Sequence, residues 1–139
     1  MTSRMTEPVT LAGVGLVAGI AQGIAQTCLE AVSVARIDPE TGILHEPGHA
    51  LDGFVLAGKI LVFPAGKGSS SGSYVLMNLA ANKAAPRGIV IGTPDAVVVA
   101  GAVLAQIPLV ACLDPSALSF IHDGDSIRID GAIGLVRIL

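Results

Sequence analysis

The chain has 139 residues, enough for one domain that buries a core without disulfide or metal staples. Its net charge is −3 and its eight Lys and Arg residues are scattered, which argues against a nucleic-acid partner, whose readers carry basic patches. Hydrophobic residues make up 52% and charged residues only 14%, with three Phe, one Tyr and no Trp, so the core is expected to be aliphatic and part of the apolar surface to be covered by a partner.

Arg4 precedes an apolar stretch from Leu11 to Ala21, the outline of a signal peptide. Glu7 cancels the charge, however, and Gly13, Gly15 and Gly19 interrupt an already short run. No segment approaches the length of a membrane-spanning helix, so a soluble, cytoplasmic protein is expected. Residues 1 to about 8 read as a tail to a single domain.

Val9 to Val17 alternates small and apolar residues and predicts a first strand, with Gly19 and Gly23 as bends. Ala25 to Ile37 suits helix or strand, and its β-branched residues favour strand. Asp38-Pro39-Glu40-Thr41-Gly42 is a turn, with proline setting φ after an Asx-type start and glycine closing it. A polar loop, His45 to Gly53, follows. Cys28 and Cys112 lack a C-x-x-C pattern or nearby His ligands and read as buried, reduced thiols, with no metal site on this chain.

Next comes the apolar run Ile60 to Phe63, stopped by Pro64. Nine residues follow, Ala65 to Ser73, drawn only from Ala, Gly, Lys and Ser, and they lead into Tyr74-Val75-Leu76-Met77. The pattern is strand, loop, helix. Gly/Ser-rich segments more often serve as connectors. This one is short, is wedged between two apolar elements and combines a lysine with glycines and hydroxyls, which suits an anion site at a helix start. A nucleotide P-loop is excluded: Gly68 follows Lys67 where Ser or Thr is needed, and Leu61 stands where the first glycine should be.

Tyr74 to Ala84 is apolar almost all round and predicts a buried helix ending before Pro86. Gly88 to Ile91 is a short strand. Asp95 to Gln106 is read as a helix despite Val97-Val98-Val99, then Pro108 and a strand through Cys112. Asp123-Gly124-Asp125 turns into Ser126 to Ile129, Asp130-Gly131 marks a hairpin, and Ile133 to Ile138 returns. His45, His49 and His122 fall in loops and read as solvated. The fold class is α/β.

Taken in order, these landmarks resemble the small subunit of the aconitase X family. They are Asp38 to Gly42, Gly58-Lys59-Ile60-Leu61-Val62, Pro64 with Gly66-Lys67-Gly68-Ser69-Ser70, Gly72-Ser73-Tyr74-Val75-Leu76, Gly101 with Ile107-Pro108, and Asp125 with Ile127, Ile129, Asp130 and Gly131. The chain departs from the family pattern at Ser33 to Ile37, where many members carry a Ser-aromatic-bulky-Gly-Gly segment. The resemblance implies a swivelling β/β/α domain of the aconitase type and a hydro-lyase that dehydrates a small hydroxy acid together with a large subunit. It implies an iron centre or iron–sulfur cluster on that large subunit, and Ser69 as the proton acceptor. Gly66, Lys67, Gly68, Ser70, Ser71 and Ser73 are the expected substrate-binding residues.

Of the family's two reactions, dehydration of cis-3-hydroxy-L-proline is favoured over that of mevalonate 5-phosphate. One lysine and a helix start suit a carboxylate, whereas a phosphate usually recruits further basic residues. Two other classes stay open. The C-terminal hairpin also resembles a swivelling phosphohistidine domain, although no histidine stands in a Gly-rich Ser-His context. A non-catalytic scaffold subunit that keeps the fold is the other.

Overall fold

A computed structural model describes residues 9–68 and 70–139. The proposed tail and Ser69 lie outside the described residues. Strands β1 (Val9–Ala12), β2 (Val14–Val17) and β3 (Ile20–Thr27) come first, then a single 3-10 turn at Val34–Arg36. They are followed by β4 (Ile60–Ala65), α1 (Gly72–Ala81), β5 (Gly88–Thr93), α2 (Ala96–Ala105), β6 (Leu109–Ala111), the short α3 (Pro115–Leu118), and the hairpin β7 (Ser126–Asp130) and β8 (Leu135–Ile138).

The sheet order is β1-β8-β7-β3-β4-β5-β6-β2. Its two outermost strands are consecutive in sequence, so the expected Val9 to Val17 strand exists but is bent at Gly13. One half pairs with β8 and the other with β6, which closes the order on itself. The bend is fixed where Gly13 N–H donates to Gly134 O at 2.7 Å. Ring closure leaves no long unpaired edge.

Strands β3, β4, β5 and β6 run parallel, connected across the last three by α1 and α2. Strand β4 is buried on both sides: Leu61 and Phe63 join the core under the helices, while Ile60 and Val62 join a second core with Ile127, Ile129 and Val136 of the hairpin. A strand covered on both faces reads as an unbroken apolar run rather than as alternation, which is why Ile60 to Phe63 stands out in the sequence.

Several expectations are corrected. Pro64 does not end β4, which continues to Ala65. Strand β3 ends at Thr27, opposite Val62, so Pro64 lies beyond that ladder and its missing N–H costs no bond there. Strand β3 starts earlier than expected and contains Gly23, paired with Ile127, so Gly23 is not a bend. Most of the expected Ala25 to Ile37 strand is loop. Its Val32 and Val34 are buried because the segment packs under the loop after β4, not because it forms a ladder. Helix α1 is one-sided: Leu76 and Leu79 are buried, while Tyr74 is 64% exposed. The hairpin returns at Leu135 rather than Ile133, because Asp130 Oδ1 accepts from Ala132 and Ile133 N–H and holds a longer turn.

Helix α2 forms as expected despite its three valines. Asp95 caps it, accepting from Val98 N–H at 3.1 Å, and Gly101 lets α1 approach, since a Cβ there would meet Leu76 Cδ1 at 2.7 Å.

Candidate functional site

The parallel strands place their carboxyl ends together, the position where open α/β sheets bind ligands. From the end of β4 the chain passes through Gly66, which bridges to Val32. Val32 N–H donates to Ala65 O at 3.0 Å and its carbonyl accepts from Lys67 N–H at 3.2 Å. The first half of the serine loop is therefore stitched to the segment after β3.

Gly68 has a φ of +97°, in the left-handed region that favours glycine, and a Cβ there would stand 2.7 Å from Ser33 Oγ. Gly66 sits against the Asp95 carboxylate, where a Cβ would be 2.9 Å away. These two glycines thus answer to close packing beneath the loop. Lys67, Gly68, Ser70 and Ser71 are exposed.

Ser71 takes the N-cap position of α1 in right-handed helical geometry and makes no side-chain capping bond. Ser73, expected among the substrate-binding residues, instead donates from Oγ to Val97 O at 2.9 Å and ties α1 to α2. Tyr74 and Val75 N–H both donate to Ser71 O at 3.1 Å, so at this helix start only the Gly72 and Ser73 amides come before the first intrahelical bonds.

Lys67 is not a lone cation. Its Nζ lies 2.6 Å from Glu46 Oε2, a residue that no motif in the sequence singled out. Burial would raise the Glu46 carboxyl pKa, but the hydrogen bond and charge of Lys67, then His49 and the Ser33 amide, hold it below the usual glutamate range. His49 is buried, contrary to the expectation of a solvated loop residue. Its Nδ1 accepts from Leu51 N–H at 3.0 Å, so its Nε2 carries the proton and donates to Ala31 O at 2.9 Å.

On the other face of β4, at the same end of the sheet, a cavity of about 560 Å³ is lined by residues including Cys28, Val62, Pro64, Thr93 and Cys112. Asp123 clips its rim to the end of β3, accepting from Thr27 N–H at 2.6 Å and Thr27 Oγ1 at 2.7 Å. Burial pushes the Cys28 thiol up to about 11, although its hydrogen bond to Glu30 O opposes this; the carboxylates of Glu30, Asp123 and Glu46 add to the rise. Burial also raises Cys112. Both are protonated thiols near neutral pH, poor nucleophiles and poor metal ligands. Among the described residues no three His, Cys, Asp or Glu side chains gather as a metal site, and two cysteines fall short of the four ligands of a usual iron–sulfur cluster. Among the described residues the side chains do not fit an iron group.

A family model for the aconitase X swivel domain matches residues 10–138. The chain belongs to the aconitase X swivel-domain family. It is 38% identical over 133 residues to the phosphomevalonate dehydratase small subunit of Methanosarcina mazei, covering 95% of this chain and 92% of the relative. To the protein of the same name from Pyrococcus furiosus it is 40% identical, covering 93% and 95%. The crystal structure of Thermococcus kodakaraensis aconitase X in its holo-form superposes with a TM-score of 0.89 at 39% identity, covering 94% of this chain and 98% of that one. The aconitase X chain described here is therefore the small subunit of a dehydratase, a hydro-lyase that works with a large subunit. No helix among the described residues is long and apolar enough to cross a membrane.

Proposed function

We propose that the chain is the small subunit of a dehydratase acting on mevalonate 5-phosphate, with the 66–73 loop at the substrate. The substrate choice is supported by the name its relatives carry at 38% and 40% identity across almost their full length. The sequence preference for cis-3-hydroxy-L-proline rested on the scarcity of basic residues. That argument does not discriminate, because the helix start it counted towards a carboxylate binds phosphate and carboxylate alike.

In this reading the loop holds an anionic group of the substrate through Lys67 and the first amides of α1, with Gly66, Gly68, Ser70 and Ser71 shaping the cradle. Ser69 accepts the proton on the carbon next to the carboxylate. A serine is a weak base unless its alkoxide is stabilised, and a helix start together with the directed donors of a neighbouring lysine can do that. The same donors offset charge that grows on the carboxylate as the C–H bond breaks. An iron centre on the large subunit would supply Lewis-acid assistance to the departing hydroxyl.

The test is turnover by the reconstituted two-subunit enzyme on mevalonate 5-phosphate and cis-3-hydroxy-L-proline side by side. Turnover of the phosphorylated acid is expected. Activity confined to hydroxyproline would overturn the substrate assignment and restore the preference read from the sequence.

A further inference from the structure

Glu46 comes to the serine loop from the 45–53 loop, whose place is fixed by several hydrogen bonds. Glu46 N–H donates to Asp52 Oδ1 at 2.9 Å, and Ala50 N–H donates to Glu30 Oε1 at 3.0 Å. His49, with both ring nitrogens engaged, pins the same loop to Ala31. The clamped loop delivers one carboxylate to Lys67. The Glu46 side chain is only 12% exposed, against 49% for Lys67. Its second oxygen, Oε1, is buried without a hydrogen-bond partner among the described residues. A carboxylate buried so far needs a cation, and Lys67 supplies it.

An ammonium has three donors. One is spent on Glu46, and with the side chain 49% exposed Nζ has no second ion-pair partner among the described residues. We infer that Glu46 is a positioning residue of the dehydratase site: it fixes the Lys67 ammonium, and with it the 66–68 backbone, while leaving the lysine's outward donors for the substrate anion. This rests on the reading of the serine loop as the substrate site. It also changes the electrostatics of that loop, because the Lys67–Glu46 pair carries no net charge. Affinity for an anion then depends on the lysine's directed donors and the helix amides rather than on a free positive charge.

The titratable groups around Glu46 are Lys67 on the serine loop, His49 and Asp52 on its own loop, and Cys28 on the segment after β3. Lys67 is the one in direct contact, so its removal should dominate. Carboxyl-carbon NMR of the full chain reads this without any assay of activity. Glu46 is expected to titrate below the ordinary glutamate range, and in Lys67→Met to move clearly upward, because the largest opposition to burial is gone while His49 and the Ser33 amide remain. An ordinary midpoint that Lys67→Met leaves unchanged would overturn the inference.

In the reconstituted enzyme Glu46→Ala should lower kcat/KM by about 100-fold, the scale of a misplaced catalytic group. Combined with Lys67→Met it should cost no more than Lys67→Met alone, since both remove one unit. Losses that simply multiply would contradict the role. Glu46→Gln, which keeps shape and one acceptor, carries the same comparison should the alanine variant not fold, with a smaller loss. A wild-type complex that leaves mevalonate 5-phosphate untouched refutes the substrate reading alone, and the NMR titration still decides whether Glu46 holds Lys67.

Discussion

At the scale of single residues the account turns on Ser69. Its hydroxyl is assigned the proton transfer, so Ser69→Ala should lower kcat by about 100- to 10,000-fold, the usual worth of a positioned base. KM should change little, and association with the large subunit should persist. Steady-state kinetics on the assembled complex checks this, and a near-normal kcat would remove the assignment. The loop itself was legible in the sequence, because glycine, lysine and serine between two apolar runs is a local pattern. Its ion pair was not. Glu46 lies in a loop before β4, and only tertiary folding brings it to 2.6 Å from Lys67. The same limit hid the buried His49, whose partners Ala31 and Leu51 are backbone groups that leave no trace in residue type. Nor did residue type show that the Ser73 hydroxyl donates to Val97 O across the α1–α2 contact.

At the scale of elements, α2 props the loop from below. Its cap, Asp95, both holds the Val98 amide and presses on Gly66. Asp95→Ala should therefore cost about 1 kcal/mol through the lost cap and lower Tm by about 4 °C, read by thermal denaturation. An unchanged Tm would show that the cap carries no stability. Elements with local signals were readable: the Asx turn at Asp38, where Glu40 N–H donates to Asp38 Oδ1, the capped α2, and the C-terminal hairpin. The segment from Cys28 to Ser33 was not. The β-branched residues of the expected Ala25 to Ile37 strand argued for a ladder, yet Val32, Val34 and Ile37 are buried in irregular chain and a 3-10 turn, and such burial leaves the same apolar signature as a ladder. The short α3 was missed although Asp114-Pro115-Ser116 is a helix start, with Asp114 Oδ1 accepting from Ser116 N–H.

At the scale of the whole molecule, the closed sheet gathers the serine loop, the cavity behind Pro64 and the clip at Asp123 at one end. Leu29, 98% exposed, and Leu113, 59% exposed, stand on the rim of that cavity. Composition predicted such an apolar surplus, and a subunit that works beside a larger partner has a use for it. Ring closure through Gly13 was beyond the sequence, since no local feature tells that one strand serves both ends of a sheet. The central claim is that this chain contributes a necessary half of a dehydratase site. It is tested most directly by titrating the purified 139-residue chain into its large subunit and following dehydration of mevalonate 5-phosphate. Neither polypeptide alone should show turnover, and the rate should rise with added chain until it saturates. Full turnover by the large subunit or by this chain in isolation would contradict it.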